Sequence, residues 1–209
     1  DFEQVKTAAR TQWNNDLSRI KVEGGTADER TIFYTGLYHL LIHPNILQDV
    51  NGEYPMMESL KVGHTTGNRY TVFSLWDTYR NVSTLMTLLY PERQLDIIRT
   101  MLDMYRENGW LPKWELYGRE TFTMEGDPSI PYIVDAWMRG LRDFDEQTAY
   151  EAMRKGATTP GEFNLLRPDA NDYFSKGYVP LREQYDNSVS HALEYYIADW
   201  NLANFAQAL

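Results

Sequence analysis

The run Phe73-Ser74-Leu75-Trp76-Asp77-Thr78-Tyr79-Arg80 sets a carboxylate, an indole and a guanidinium side by side where an extended stretch turns into a helix. A carboxylate there can accept two sugar hydroxyls while Trp76 packs against an apolar ring face. Ser74 or Asp77 could equally serve as an N-terminal helix cap, since both types are favoured there. A second concentration lies at Trp114-Glu115-Leu116-Tyr117-Gly118-Arg119-Glu120, continuing through Glu125 to Asp127, with four carboxylates within 13 residues. Glycoside hydrolysis needs two carboxyl groups, one to protonate the leaving oxygen and one to activate water or attack, and this loop could supply them. Arg119 offers a plainer use, because it could neutralise Glu115 or Glu120 in an ordinary ion-pair network.

Other candidates carry less chemistry. His39 and His43 stand four apart on one predicted helix, but lack the intervening Glu of a zincin motif, and His43 precedes Pro44 at a helix end where a cation is favoured anyway. His191, Glu194 and Asp199 read as a polar face of the last helix, with Glu194 and Asp199 alternatively supporting a site from behind. A Gly-rich phosphate loop, a nucleophile elbow and a heptad pattern are all missing. With no Cys in the chain, thiol nucleophiles, thiolate metal sites and disulfides drop out together.

The elements that must position these residues are mostly helical. Val5, Ala8, Ala9, Trp13, Leu17 and Ile20 recur at helical spacing over residues 2–20. After Gly24-Gly25, the run Thr26-Ala27-Asp28-Glu29 reads as a capping box opening a helix that Pro44 stops near His43. The period fails over 48–73, where Asn51-Gly52, Gly63 and Gly67-Asn68 punctuate short extended pieces and predict a hairpin. Helix is predicted again over 75–90, then from Pro91 to Asn108-Gly109, and over 130–141, 145–156 and 188–208. A loop over 110–127 and a polar segment over 158–184, with Pro160, Pro168 and Pro180, separate these elements.

Composition bounds the partners. Thirty Asp and Glu against 20 Lys and Arg give a formal charge of -10, which repels phosphate backbones and anionic lipid alike, so no nucleic acid and no membrane partner is expected. No apolar run of about 18 residues is present to insert into a bilayer, and the first residues show no signal-peptide pattern. The 43% hydrophobic content is enough for a true core, and 15 Tyr, 8 Phe and 6 Trp suit pockets for polar-rimmed ligands.

Read in order, these segments resemble glycoside hydrolase family 92. Carrying the resemblance are Glu23-Gly24-Gly25 with Thr31-Ile32-Phe33-Tyr34-Thr35-Gly36-Leu37-Tyr38-His39, Asp49-Val50-Asn51-Gly52, Tyr70-Thr71-Val72-Phe73-Ser74-Leu75-Trp76-Asp77-Thr78-Tyr79-Arg80 and Pro91-Glu92-Arg93. It continues through Leu111-Pro112-Lys113-Trp114-Glu115-Leu116, Glu120-Thr121, Gly177-Tyr178-Val179-Pro180 and Ser188-Val189-Ser190, to Leu193-Glu194-Tyr195 and Asp199-Trp200. The resemblance implies an all-α fold, helical pairs forming part of an (α/α)6 toroid, with the family's N-terminal β-sandwich and the rest of the barrel outside residues 1–209. It implies an exo-acting, inverting, calcium-dependent α-mannosidase, of α-1,2 type, taking terminal mannose from glycans. Asp77 would face that mannose, and Trp76, Glu120, Glu115 and Trp114 are the further substrate-binding candidates. The general acid, the base and the calcium ligands are expected downstream, so no catalytic residue and no metal ligand is assigned within this chain, and the isolated chain is expected to be inactive. The partners implied are a mannose-containing glycan and the remainder of the same enzyme, and family habit implies a secreted or periplasmic setting. Two departures stand out: Gly126-Asp127-Pro128-Ser129 where many relatives have Gly-Tyr-His-Ser, and Asn187 where many have Glu. Rival readings are a trehalase-like helical glycosidase, suggested by the Trp-Asp-x-Tyr run, and a non-catalytic module using Trp76, Trp110 and Trp114 as sugar platforms.

Overall fold

The computed structural model describes residues 1–181 and 187–209, so the last stretch of the predicted 158–184 segment lies outside the described residues. The chain falls into two compact units, Asp1–His43 and Pro44–Leu209. In the first, α1 (Phe2–Leu17) and α2 (Ala27–Leu40) form a helical pair. The capping box at Thr26 forms as read, with Thr26 accepting from the Glu29 amide and the Glu29 carboxylate reaching back. The apolar stripe of α1 is less buried than its spacing predicts: the helix has no buried residue, and its main ring contact is Trp13 against Tyr38, 4.6 Å between centroids. The turn between the helices is closed by Arg30, which donates to the carbonyls of Gly24 and Gly25, and by the Tyr34 hydroxyl on the Ile20 carbonyl.

The second unit opens with the excursion. Strand β1 (Asn45–Ile46) pairs antiparallel with β4 (Tyr70–Thr71), and β2 (Glu53–Pro55) with β3 (Val62–His64). Asn51-Gly52 makes the expected turn, and here glycine is required: φ is +86° and a Cβ would sit 2.3 Å from the Thr65 carbonyl oxygen. The predicted helix over 75–90 is split into α3 (Leu75–Thr78) and α4 (Val82–Leu89), because residues 79–81 turn between them. Pro91 takes the first position of α5 (Pro91–Asn108) and Gly109 ends it, as the sequence predicts. The 110–127 loop contains a hairpin that periodicity could not show, β5 (Glu115–Leu116) against β6 (Arg119–Glu120).

Beyond it come α6 (Ser129–Met138), α7 (Glu146–Thr158), α8 (Ala170–Lys176) and α9 (Ser188–Ala208). The sequence reading missed α8, a helix of 7 residues inside a polar, Pro-punctuated stretch, too short for a periodic signal. Helix α6 is apolar nearly all round and buried nearly all round, and it packs on α4, α7 and α9. Ile97, Ile98, Met101 and Met104 of α5, Ile133 and Trp137 of α6, Met153 of α7 and Phe205 of α9 share this core, with Trp137 edge-on to Phe205 at 4.8 Å. The architecture is all-α, with short strands confined to the connections.

One buried ion pair ties the excursion to the helices. Arg69 grips Glu107 of α5 with two parallel bonds of 3.1 and 2.9 Å, and Glu107 also accepts from the Tyr54 hydroxyl and the Met57 amide. The Arg69 guanidinium lies over the Tyr54 ring, 4.4 Å from its centroid. Burial, reinforced by Glu107, pushes the Tyr54 phenol up to about 12, so it stays a donor. Removing one member of such a pair leaves the other charged and buried, at a cost of about 3–5 kcal/mol. Arg69→Met in the full-length protein is expected to lower stability by that order in urea unfolding; an unchanged midpoint would show that Glu107 is relieved some other way.

Candidate functional site

The site is built where β4 runs into α3. Val72, between them, has φ +67°, a left-handed conformation that is costly for a β-branched residue. What holds it there is Glu115. Its side chain is completely buried and accepts from the Thr71 hydroxyl at 2.9 and 3.0 Å, the Val72 amide at 3.1 Å and the Gly118 amide at 2.5 Å. Its backbone carbonyl takes the Phe73 amide at 3.0 Å, and Thr71 in turn accepts from the Tyr117 amide at 2.8 Å. Burial pushes the Glu115 carboxyl up, and the three donors pull it back.

Glu120 plays a similar role one strand later. Its carboxylate accepts from the amides of Lys113 at 2.7 Å, Trp114 at 2.9 Å and Phe122 at 2.8 Å, while its own amide donates to Glu58 at 2.7 Å. The sequence reading placed both Glu115 and Glu120 against substrate. Their oxygens are instead occupied by backbone donors, and Glu115 has no exposed surface with which to meet a ligand. Arg119, the suspected neutraliser, is exposed, and backbone amides do that work instead.

The remaining loop carboxylates are also engaged. Glu125 accepts from the Asn187 amide group at 2.8 Å and lies 2.8 Å from Nε2 of His191. Asp127 pairs with Arg167 at 3.2 Å, Arg167 reaches Asp199 at 2.7 Å, and the Tyr173 hydroxyl donates to Asp199 at 2.8 Å. Burial pushes the Asp127 carboxyl up against the opposing pull of Arg167 and Lys113; the buried Lys113 is itself pushed down by desolvation. This polar layer was not legible from spacing, although the departures at Asp127 and Asn187 marked two of its members.

Asp77 is different. It is exposed on α3, where its one hydrogen-bond partner among the described residues is the Ser74 hydroxyl. The capping alternative is not realised: Ser74, the residue at the cap of α3, makes no side-chain bond to the helix backbone and donates to Asp77 instead. Trp76 is half-buried beside it, with the Arg80 guanidinium 5.0 Å from its ring centroid. Trp114 is half-buried just before β5, joined to the Asp77 turn through Glu115. Trp110 lies elsewhere, under the ammonium of Lys155 at 4.5 Å, where it packs the end of α5. Among the described residues no group of three or more His, Asp or Glu is disposed to hold a metal ion.

Comparison with known proteins places this architecture. The chain matches the model of the glycosyl hydrolase family 92 catalytic domain over residues 1–209, and it belongs to that family. It is similar to the solved structure of a family 92 inverting mannosidase from Bacteroides thetaiotaomicron VPI-5482, at 34% identity and a TM-score of 0.90, over 100% of this chain and 28% of that one. A family 92 α-mannosidase from Bacteroides thetaiotaomicron superposes with a TM-score of 0.89 at 32% identity, over 99% of this chain and 27% of that one. An uncharacterized secreted glycosidase of Arthroderma benhamiae is 28% identical over 96% of this chain and 23% of its own length. The chain thus spans about a quarter of the length of these relatives.

The His191 environment makes a pH prediction. Desolvation pushes His191 below its ordinary value, while Glu125 opposes that. A base with a lowered native pKa contributes stability that is complete above its unfolded value of about 6.5 and is lost as pH falls through the native one. Thermal stability of the full-length protein is expected to drop as pH falls below about 6.5, and His191→Gln should flatten some of that slope. An identical slope in the variant would assign the loss to other groups.

Proposed function

We propose that the full-length protein is an exo-acting, inverting α-mannosidase, of α-1,2 type, that removes terminal mannose from glycans, and that this chain is the opening portion of its helical catalytic domain. In this reading residues 1–209 contribute helical pairs to an (α/α)6 toroid that follows a β-sandwich. Supporting it are the two solved relatives, one described as an inverting mannosidase and the other as an α-mannosidase, each more than 30% identical to this chain. The second was also solved with mannoimidazole bound. The observation that carries the reading is Asp77: an exposed carboxylate, oriented by Ser74 and not consumed by a helix cap.

In the proposed site Asp77 accepts hydrogen bonds from hydroxyls of the terminal mannose, and Trp76 forms a wall against its apolar face. Trp114, just before β5, is the further substrate-binding candidate. Glu115 and Glu120 act one step back, Glu115 by fixing the strained Val72 that launches the turn and Glu120 by fixing the backbone of Trp114. Because Glu115, Glu120, Glu125 and Asp127 are all committed to internal partners, they are poor candidates for the acid and base. An inverting pair must stand roughly 6.5–9.5 Å apart with a water between, and we assign both members, together with the calcium ligands, to the remainder of the protein. Calcium would supply electrostatic support to the sugar when bound. The secreted relative favours an exported enzyme. The family match favours this reading over a trehalase-like one.

Two expected outcomes test the proposal. Asp77→Ala in the full-length protein should lower kcat/KM on α-mannobiose by at least about a hundredfold, from the loss of charge-assisted bonds of about 1.5–3 kcal/mol each, with little change in melting temperature. A destabilised but fully active variant would defeat the substrate-binding role. The 209-residue segment expressed alone should hydrolyse no α-mannobiose above a buffer blank. Turnover by the pure segment would place the acid and base within it; mannose binding without turnover would favour a sugar-binding module.

A further inference from the structure

Helix α3 has only 4 residues, Leu75–Thr78, and no side-chain cap, so it cannot fix the direction of Trp76 and Asp77 by itself. Orientation must come from outside, and the contact that supplies it comes from α9, more than a hundred residues away in sequence. Glu194 is 8% exposed. One of its oxygens accepts from the Tyr79 hydroxyl at 2.8 Å and the other from Nη2 of Arg80 at 2.5 Å. The same Arg80 guanidinium lies 5.0 Å from the Trp76 ring centroid and 4.8 Å from that of Tyr79. Carboxylate, guanidinium and indole therefore form one stack, and its outer member adjoins the proposed sugar carboxylate. Burial and Glu194 both push the Tyr79 phenol upward, so it remains a donor at any working pH.

Glu194 also locates the acidic loop. Gly126 passes so close that a Cβ there would sit 2.4 Å from the Glu194 Cβ, and its φ of +76° already favours glycine. Two neighbours of that glycine, Glu125 and Asp127, begin the polar layer behind the site. One side chain thus indexes both the Asp77 turn and the loop facing it.

We infer that Glu194 is a positioning residue for the sugar site, acting through Arg80 and Tyr79 on Trp76 and Asp77; this rests on the mannosidase reading above. It does not touch substrate, since both its oxygens are taken. A merely structural ion pair would affect folding and leave the kinetics of the folded enzyme alone. A positioning role makes the Glu194 and Asp77 losses overlap, because both end in the same misplaced hydrogen bonds.

The test measures kcat and KM on α-mannobiose, with melting temperature, for full-length Asp77→Ala, Glu194→Gln and the double variant. Glu194→Gln keeps an acceptor for Tyr79 but removes the charge facing Arg80, and should cost about tenfold or more in kcat/KM while remaining folded. The double variant should be no more than about threefold worse than Asp77→Ala alone. If Glu194→Gln does not fold, Tyr79→Phe and Arg80→Lys take its place, the second keeping the charge but losing the planar fork, and about threefold losses that again overlap with Asp77→Ala are expected. Wild-type kinetics in these variants, or losses that multiply in the doubles, would overturn the inference. Absence of α-mannobiose hydrolysis by the wild-type full-length protein would overturn the mannosidase reading, normal activity in Asp77→Ala would overturn the substrate-binding role of Asp77 and this inference with it, and an impaired Asp77→Ala beside a normal Glu194→Gln would remove this inference alone.

Discussion

A buried carboxylate with no positive side chain bonded to it governs the geometry of this molecule. Glu115 sits under the junction of β4 and α3, and its compensation comes from amide and hydroxyl donors: Thr71, Val72 and Gly118. Such an arrangement is directional where an ion pair is tolerant, because each oxygen accepts only from donors lying near its own plane. Its effect is to hold a β-branched residue at positive φ, and the turn bearing Trp76 and Asp77 leaves the strand in the direction that this conformation sets. The path of the backbone that carries Trp76 and Asp77 is therefore set by backbone chemistry below it.

The same logic recurs outward. Glu120 gathers three amides of its own loop, and Glu107 gathers an arginine, a phenol and an amide from the excursion. Loops that lack regular hydrogen-bond ladders must satisfy their backbone donors some other way. Here acidic side chains do so, accepting from amides of an aromatic, Gly-punctuated connection whose regular pairing is limited to one short hairpin. The acidic excess of the sequence is thus partly structural, and a count of carboxylates overstates how many are available for chemistry.

Much of the scaffold was legible because its signals are local. The Thr26 to Glu29 capping box, Pro91 opening α5, Gly109 closing it and Asn51-Gly52 in a turn each depend on residues a few positions apart. The 75–90 region read as one helix because Val82, Met86 and Leu89 continue the apolar period after Leu75; the break at 79–81 arises from tertiary bonds of Tyr79 and Arg80 to Glu194 that no local pattern contains. The roles of Glu115 and Glu120 were hidden for the same reason. Residue type announces that a carboxylate is present, and only the fold shows whether its lone pairs are already occupied. The grouping of Ser74, Trp76 and Asp77 was legible because its members are adjacent in sequence as well as in space.

The buried trio around Asp127 has an evolutionary consequence. A Cβ on Gly156 would come within 2.8 Å of Asp127 Oδ2, and that oxygen is held by Arg167, itself fully buried. A side chain at position 156 would have to displace the carboxylate at 127, and losing that carboxylate would leave the buried arginine at 167 with Asp199 as its counter-charge. Substitutions at these three sites are therefore expected to be epistatic, each changing what the other two tolerate.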